Sequence, residues 1–319
     1  MTAMTRFDVF NGDADGLCAL HQLRLASPVD SMLISGPKRD IALLARVDAK
    51  PGDMVTVLDL SLAANRDALV ALLERGVFVR YFDHHHAGTI PIHPRLVADI
   101  DPSPSICTAM LVDRHLDGAY RVWAVVAAFG DNLIKAAATL ASPLALRRTQ
   151  IDRLRELGET LNYNGYGDCD TDLIVHPVAL YRMLARHADP FAFMDLEPIF
   201  AQLASRRRED IDRATTCTPT AALAGATVYV LPDEPWSRRV RGVFANEVAN
   251  RLPKLAHAVL TPDAARGYTV SLRTPARGAD EFCLAFPTGG GRAVAAGINH
   301  LPADRLPEFL RRLDEAFPG

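Results

Sequence analysis

Three short apolar segments in the first part of the chain each run into acidic residues. Helical patterns separate the segments, and such alternation predicts a parallel sheet with helices on both faces. The acidic motifs are Asn-Gly-Asp-Ala-Asp-Gly at 11–16 after residues 7–10, Asp59 after residues 54–58, and Asp-His-His-His at 83–86 after residues 78–82. Ligands of parallel sheets bind beyond the carboxyl ends of the strands, so we expect the three motifs to converge on one site.

So many carboxylates in one pocket are tolerable only when cations neutralise them, which predicts a metal site. Hard cations such as Mn²⁺ and Mg²⁺ favour carboxylate oxygen, and an added imidazole shifts the preference toward Mn²⁺ and other transition metals. Asp13 and Asp15 lie two positions apart on a tight loop, so each carboxylate can serve a different ion, with Asp59 bridging them. Two ions roughly 3.5–4 Å apart can clamp a phosphoryl group and share an activated hydroxide.

Each motif also has a plainer interpretation. Aspartate and glycine are common in ordinary turns, an aspartate after a strand is often a helix N-cap, and a histidine run can be a solvated loop. The first motif resembles the start of a calcium-binding EF-hand loop, but that loop follows a helix and needs glutamate where this chain has Gln22. The position of all three motifs at predicted strand ends favours the metal site.

The rest of the sequence indicates two domains. From residue 106 to about residue 187 the pattern is mainly helical, and residues 194–216 indicate a charged connecting helix. Beyond it, strands and helices alternate again. The predicted division is a catalytic domain with the parallel sheet at 1–195, a connecting helix or linker at 196–217, and a smaller α/β domain at 218–319. Within the last domain we predict a strand over 281–286 and a helix over 293–297, opened by three glycines.

Composition limits the partners of the chain. Its 319 residues are 49% hydrophobic and 23% charged, which is typical of a globular enzyme. A net charge of −3 provides no global positive field to hold long duplex nucleic acid. Five scattered cysteines indicate reduced thiols, and the sequence lacks an apolar signal segment or membrane-spanning run, so we expect a cytoplasmic protein without a membrane partner. The oligomeric state stays open, a homodimer included.

Taken in order, the motifs resemble the DHH family of phosphoesterases: Asp-x-Asp-Gly after a first strand, a lone Asp after a later strand, Asp-His-His after the next, and a distal Gly-Gly-Gly. The tail, with Val-Ser-Leu-Arg at 270–273 and the glycine run within 289–297, resembles the substrate-binding domain associated with that family. The resemblance covers nearly the whole chain. It implies a hydrolase of phosphate esters or anhydrides with two divalent cations, usually Mn²⁺, with Mg²⁺ or another divalent cation as the alternative.

The resemblance also implies roles for individual residues. The implied ligands are Asp13 and Asp59 for one ion, and Asp15, Asp59, His84 and Asp131 for the other. Asp83 would orient a histidine, and His85 would face the scissile phosphate as a catalytic group. Asp131 follows an apolar stretch at 122–129, and its plainer interpretation is a turn at a helix end.

The chain departs from the family pattern at three positions. Many relatives have His where Phe10 stands, and RecJ-type members have Asp where Asn11 stands. Phe10 cannot ligate a metal, so the first ion must use the Asn11 oxygen or water, or bind weakly. Relatives commonly end the glycine run with His, where this chain has Arg292. Because arginine suits a terminal phosphate, we predict that an anionic substrate end binds Arg292, Arg273 and the backbone of Gly289, Gly290 and Gly291.

Three functions are compatible with these features. The first is a Mn²⁺-dependent phosphoesterase that hydrolyses small nucleotides or short single-stranded oligonucleotides by hydroxide activated between two metals, as the family resemblance to exonucleases and nucleotide phosphatases implies. The second, which uses the same chemistry and is supported only by the arginine pair, is a polyphosphate or pyrophosphate hydrolase. The third is a catalytically weak nucleotide-binding sensor, motivated by Phe10 and Asn11. The exact substrate and the direction of degradation stay open.

Overall fold

The computed structural model describes residues 4–318, which form two compact units that divide after Ser205. In its described part, the first unit contains a sheet of five strands that are all parallel. They are β1 (Arg6–Phe10), β2 (Met32–Ile34), β3 (Met54–Leu58), β4 (Phe78–Asp83) and β5 (Leu96–Ile100), in the spatial order β2-β1-β3-β4-β5. The predicted parallel sheet is therefore confirmed.

Two α-helices lie between these strands, and a run of helices follows the last strand. In chain order they are α1 (Ala14–Ala26), α2 (Arg66–Glu74), α3 (Thr108–His115), α4 (Arg121–Gly130), α5 (Ile134–Ala141), α6 (Arg148–Gly165), α7 (Pro177–Leu184), α8 (Pro190–Leu196) and α9 (Pro198–Thr215). The division after Ser205 falls inside α9. None of the helices in the described part of the chain is long and apolar enough to cross a membrane.

Apolar clusters cover both faces of the parallel sheet. Strands β1, β3 and β4 contribute to both clusters, because their side chains alternate between the two faces. Val9 and Val57 pack with residues of α2 in one apolar cluster. Phe10, Leu58 and Phe82 belong to a second cluster that includes residues of α1, α3, α4 and α6. The sheet is thus a layer between helices, and its carboxyl edge carries the acidic motifs.

A close approach of α1, α4 and α6 brings a distant part of the chain to that edge. A Cβ atom at Gly158 would lie 2.2 Å from the carbonyl oxygen of Val126, and one at Gly130 would lie 2.4 Å from the Cβ of Ala14. Both distances are too short for a side chain, so glycine is required where the helices cross. The packing places Asp131, which follows Gly130, beside the start of α1.

The second unit contains, among its described residues, a mixed sheet of six strands in the order β10-β11-β9-β8-β7-β6. The strands are β6 (Ala221–Ala222), β7 (Ala226–Val230), β8 (Ala256–Pro262), β9 (Gly267–Arg273), β10 (Gly289–Arg292) and β11 (Ala295–Pro302). The pair β7 and β8 is parallel, and the other pairs are antiparallel. The helices are α10 (Pro235–Arg251), α11 (Ala279–Leu284) and α12 (Leu306–Ala316).

Two predictions for the second unit are wrong. The segment 281–286 forms most of helix α11 and the turn after it, because Phe282, Cys283 and Phe286 recur at helical spacing and pack into the core. The glycine run opens strand β10 of a hairpin, not a helix. A Cβ atom at Gly289 would lie 1.7 Å from the carbonyl oxygen of Cys283, so this glycine allows the hairpin to approach α11.

Candidate metal centre

The loop between β1 and α1 is held by hydrogen bonds between its own side chains and its own backbone. Asp13 is the N-cap of α1, and its Oδ1 accepts hydrogen bonds from the backbone N–H groups of Asp15 at 3.0 Å and Gly16 at 3.1 Å. Its own backbone N–H donates to Oδ1 of Asn11 at 3.3 Å. The plainer interpretation of this motif, an N-capping turn, is therefore part of its structure. The turn leaves both Asp13 and Asp15 buried at the carboxyl edge of the sheet.

Asp15 is held by the start of helix α3. Its Oδ1 and Oδ2 accept hydrogen bonds, each 2.7 Å long, from the backbone N–H groups of Ala109 and Thr108. The first N–H groups of a helix have no partner within the helix, and their partial positive charge attracts an anion. The position of this carboxylate is thus fixed by an element more than ninety residues away in sequence.

Asp59 lies directly after β3 with an unusual backbone conformation. Its φ is +58°, in the left-handed region that favours glycine, asparagine and aspartate. The backbone N–H donates to the carbonyl oxygen of Phe82 at 3.0 Å, and Oδ1 accepts a hydrogen bond from Oγ1 of Thr108 at 3.3 Å. The side chain is buried, and Thr108 links it to the same helix start that holds Asp15.

His84 faces three carboxylates. Its Nε2 lies 3.3 Å from Oδ1 of Asp59, 3.8 Å from Oδ2 of Asp131 and 3.9 Å from Oδ2 of Asp15. Its Nδ1 lies 2.9 Å from the carbonyl oxygen of Ile106, and because that oxygen can only accept, Nδ1 carries the proton. A neutral His84 therefore presents an unprotonated Nε2 to the acids, which is the arrangement of a metal-binding histidine.

The donor set of Asp15, Asp59, His84 and Asp131 fits a divalent cation. Oxygen and nitrogen ligands lie about 2.1 Å from ions of this class, so neighbouring ligands in octahedral geometry are about 3 Å apart. The 3.3 Å distance from Nε2 to Asp59 is close to this spacing, and the distances of 3.8 Å to Asp131 and 3.9 Å to Asp15 exceed it by almost 1 Å. Mixed carboxylate and imidazole ligands suit Mn²⁺ and similar transition metals. Ligand atoms lie within 4.8 Å of one another in two groups among the described residues: one is Asp59, His84 and His85, and the other is Asp15, Asp131 and the thiol of Cys107.

The acids of the site repel one another. Burial, and then the charge of Asp131, raise the pKa of Asp15 to about 6. Burial, followed by the charges of Asp15 and Asp13, raises the pKa of Asp59 well above its usual range. The same two factors, burial and neighbouring acids, raise the pKa of the Cys107 thiol. A cation among these groups would offset the repulsion.

Asp83 and His85 form a pair beside this cluster. The buried Oδ1 of Asp83 accepts hydrogen bonds from Nδ1 of His85 at 2.6 Å and from the backbone N–H of His84 at 2.9 Å. Burial by itself would lower the pKa of His85, but the hydrogen bond and the charge of Asp83 outweigh it and raise that pKa. The side chain of His85 is 44% exposed, and its Nδ1 lies 4.0 Å from Oδ1 of Asp59. His85 is thus oriented at the open side of the site.

Sequence reasoning missed Lys38, whose Nζ lies 2.5 Å from Oδ2 of Asp13 and 3.3 Å from Oδ1 of Asp131. Burial alone would raise the pKa of Asp13, but Lys38 and the backbone of Gly16 lower it below its ordinary value. Burial has the opposite effect on Lys38 and would lower its pKa, but the charges of Asp13 and Asp131 outweigh burial and raise it. The available signal was its position in the loop after β2, because β2 is the parallel neighbour of β1 and ends at the same edge.

Two of the three positions that depart from the family pattern, Phe10 and Asn11, contribute to packing and to the loop. Phe10 is fully buried in the apolar core, with its ring centroid 5.7 Å from that of Tyr181. The amide of Asn11 is engaged locally, since its Oδ1 accepts from the N–H of Asp13 and its Nδ2 donates to the carbonyl oxygen of Lys38 at 3.4 Å. Asn11, a predicted metal ligand, thus stabilises the loop between β1 and α1.

The predicted substrate-binding residues all lie in the second unit. Arg292 in β10 pairs with Ala295 in β11, which in turn pairs with Arg273 in β9, so the two arginines lie in one row across the sheet. Arg292 is exposed, whereas the guanidinium of Arg273 donates to Oδ1 of Asn246 at 2.6 Å and to the carbonyl oxygens of Leu272 at 2.9 Å and Gly242 at 3.5 Å. Among the three glycines, a Cβ atom at Gly290 would meet nothing within 4 Å, whereas those at Gly289 and Gly291 would collide with α11 and β11.

No family model matches the chain, and no curated protein sequence matches it. Solved structures do. A structure of exonuclease RecJ bound to manganese has a TM-score of 0.63 at 18% identity, with 98% of this chain and 89% of that chain covered. The DHH domain of a protein assigned to a family of ribosomal proteins has a TM-score of 0.63 at 13% identity, covering 98% of this chain and 86% of that chain.

A third similar structure is the pGpG-specific phosphodiesterase PggH from Vibrio cholerae. Its TM-score is 0.56 at 15% identity, and the similarity covers 98% of both chains. These similarities extend over the mixed α/β architecture of both units. The chain therefore has the fold of the DHH proteins, as the resemblance of its motifs implied.

Proposed function

We propose that this chain is a phosphoesterase of the DHH type that depends on a divalent cation and hydrolyses small nucleotides or short single-stranded oligonucleotides. The observation that carries the proposal is the position of His84 Nε2, with carboxylate oxygens of Asp15, Asp59 and Asp131 at 3.3–3.9 Å. The fixed Nδ1 proton of His84 and the helix start that holds Asp15 preorganise this donor set. We assign Mn²⁺ to it because an imidazole completes the carboxylates.

A divalent cation bound there would polarise a phosphate and lower the pKa of a bound water molecule. The residues of the chain supply the rest. His84, Asp15, Asp59 and Asp131 hold the cation. His85, held by Asp83, stays protonated to higher pH than a free histidine, and it stabilises the negative charge that develops on the phosphate.

The second unit would anchor the substrate. Arg292 is exposed at the end of the edge strand β10, and Arg273 lies in the same row of the sheet. The open space beside Gly290 leaves room for an anionic group next to this strand. The exposed guanidinium of Arg292 can bind phosphate through paired charged hydrogen bonds, which supports a substrate that carries a phosphate beyond the one being cleaved. Two of the similar structures are an exonuclease and a pGpG-specific phosphodiesterase, which supports a nucleotide as the substrate.

The test is hydrolysis by the purified chain with Mn²⁺ of four substrates: pAp, a linear dinucleotide, a cyclic dinucleotide and polyphosphate. We expect cation-dependent turnover of pAp or the linear dinucleotide, and its loss in Asp59→Asn but not in Asp48→Asn, which changes an exposed aspartate of the same unit. Turnover of polyphosphate alone would instead assign a polyphosphate hydrolase. Nucleotide binding without turnover of any substrate would assign the sensor.

A further inference from the structure

We propose that Lys38 supplies a fixed positive charge in place of one of the two cations that the resemblance implies, so that the site binds a single divalent cation. The inference rests on the proposed function, since it takes the donor set around His84 as the place of that cation. It concerns how the charge of the acidic cluster is balanced, and it follows from which atoms each acid engages.

The acids divide into two groups. Both oxygens of Asp13 are engaged, because Oδ1 accepts two backbone N–H groups and Oδ2 forms the ion pair with Lys38 at 2.5 Å. Oδ2 of Asp15, which also accepts from the backbone N–H of Thr108, and Oδ1 of Asp59 face His84 Nε2 instead, and the side chain of Asp59 also contacts that of Asp13. Asp131 belongs to both groups, with Oδ1 3.3 Å from Lys38 Nζ and Oδ2 3.8 Å from His84 Nε2. Asp131 thus lies between an ammonium group and the position that fits a metal.

The ammonium group is held in place by its surroundings. The backbone N–H of Lys38 donates to the carbonyl oxygen of Gly165 at 2.8 Å, at the end of α6. Gly165 lies against the first motif, since a Cβ atom there would be 2.9 Å from Cα of Asp13. Nζ also lies 5.6 Å from the centre of the Tyr166 ring, which attracts a cation. These contacts direct the ammonium group at Asp13.

Neither of the two residues at positions 10 and 11 adds a ligand to Asp13. Phe10 packs in the core, and Asn11 Oδ1 accepts from the backbone of Asp13. A divalent cation on Asp13 would also have to lie close to the ammonium group, and like charges at such a distance repel strongly in a buried site. The ammonium group and a second ion therefore exclude each other.

The test is the number of Mn²⁺ ions bound per chain, measured by calorimetric titration and native mass spectrometry on the full chain. Electron paramagnetic resonance adds a second readout, because an isolated Mn²⁺ differs from an exchange-coupled pair. The variant Lys38→Met removes the ammonium group and keeps the length of the aliphatic chain. Lys50→Met is the matched control, because Lys50 is exposed and lies just before β3, at the opposite edge of the sheet.

We expect one ion for the unmodified chain and for Lys50→Met, and a second, weaker ion with a coupled spectrum for Lys38→Met. Two ions in the unmodified chain, or one ion in Lys38→Met, would overturn the inference and leave the proposed function standing. Absence of Mn²⁺ binding in the unmodified chain would remove the proposed function as well.

A second variant decides the matter if Lys38→Met does not fold. In Asp13→Asn the N-capping oxygen is kept, and Asp13 is the partner of Lys38 rather than of the ion. We therefore expect Asp13→Asn to bind one Mn²⁺ with a Kd within a few-fold of that of the unmodified chain. A loss of Mn²⁺ binding in Asp13→Asn would make Asp13 a metal ligand and overturn the inference.

Discussion

The Nδ1–H group of His84 donates a hydrogen bond to the backbone carbonyl oxygen of Ile106 at 2.9 Å. This one contact decides which nitrogen of the ring is available, because the tautomer leaves Nε2 as an acceptor facing the acids. Ile106 lies in the segment that leads into α3, and the first N–H groups of α3 hold Asp15. The imidazole and the carboxylate of the site are therefore positioned by the same short stretch of chain.

Replacing Asp59 tests the centre of the proposed site. We expect Asp59→Asn to lose Mn²⁺ binding and to lower kcat/KM by on the order of 1,000-fold, which corresponds to the several kcal/mol that a metal contributes. Asparagine keeps the left-handed backbone, so the variant should fold. Titration with Mn²⁺ and steady-state kinetics check both effects. A rate near that of the unmodified chain would contradict a role for Asp59 in holding the cation.

Thr108 offers a subtler test, since its hydroxyl donates to Oδ1 of Asp59 at 3.3 Å. Thr108→Val removes that hydrogen bond and nearly preserves shape. Outer-shell partners of this kind are worth about 10- to 100-fold in metal affinity, so we expect the Kd for Mn²⁺ to rise by about tenfold. Thr139→Val, in an exposed position of α5, is the control. An unchanged Kd would show that Asp59 needs no support from Thr108.

The raised pKa of Asp15 predicts how the cation-free chain responds to pH. Burial, then Asp131, raise this pKa from the ordinary 3.8 to about 6. The folded chain therefore binds the proton more tightly than the unfolded chain, and its stability should fall as the pH rises from about 4 through 6. The Tm in the presence of a chelator measures this, with Asp15→Asn as the variant and Asp48→Asn as the control.

In that experiment, Asp15→Asn should flatten the decline in Tm over this pH range, and Asp48→Asn should leave it unchanged. Mn²⁺ binds the deprotonated acids, so its addition should reverse the decline above pH 6, and its affinity should weaken below pH 6. Equal pH profiles for the unmodified chain and Asp15→Asn would assign the dependence to another group.

Arg292 tests the assignment of the second unit. A charged hydrogen bond contributes about 1.5–3 kcal/mol, so Arg292→Ala should raise KM by about 10- to 100-fold with little change in kcat. Arg277→Ala, which changes another exposed arginine of this unit, is the control. If kcat fell and KM stayed constant, Arg292 would act on the transition state instead of anchoring the substrate.

The sheet and the acidic motifs could be predicted because they follow from local patterns. Short apolar strands alternating with helices define a parallel sheet, and that topology alone brings Asp15, Asp59 and His84 to one edge. Lys38 belongs to no motif, and the signal for it was weaker: it lies in the loop after β2, a short strand that ends at the same edge. The support that Thr108 gives to Asp59 depends on where α3 begins in space, which sequence periodicity does not report.

Predictions for the second unit failed where packing overrode local preference. The segment 281–286 contains phenylalanine, cysteine and leucine, which suit a strand as well as a helix, and only the core contacts of Phe282 and Phe286 distinguish the two. Glycine carries no hydrophobic pattern, so the run at 289–291 gave no information about the hairpin that it forms.

The backbone at Asp59 limits which residues evolution could place there. Glutamate would bring the same charge to the site, but its longer side chain does not stabilise a φ of +58° in the way that aspartate and asparagine do. Glycine would suit the turn and provide no charge. Among the amino acids, aspartate alone satisfies the turn and provides a carboxylate, so the shape of one peptide unit and the chemistry of the pocket select the same residue.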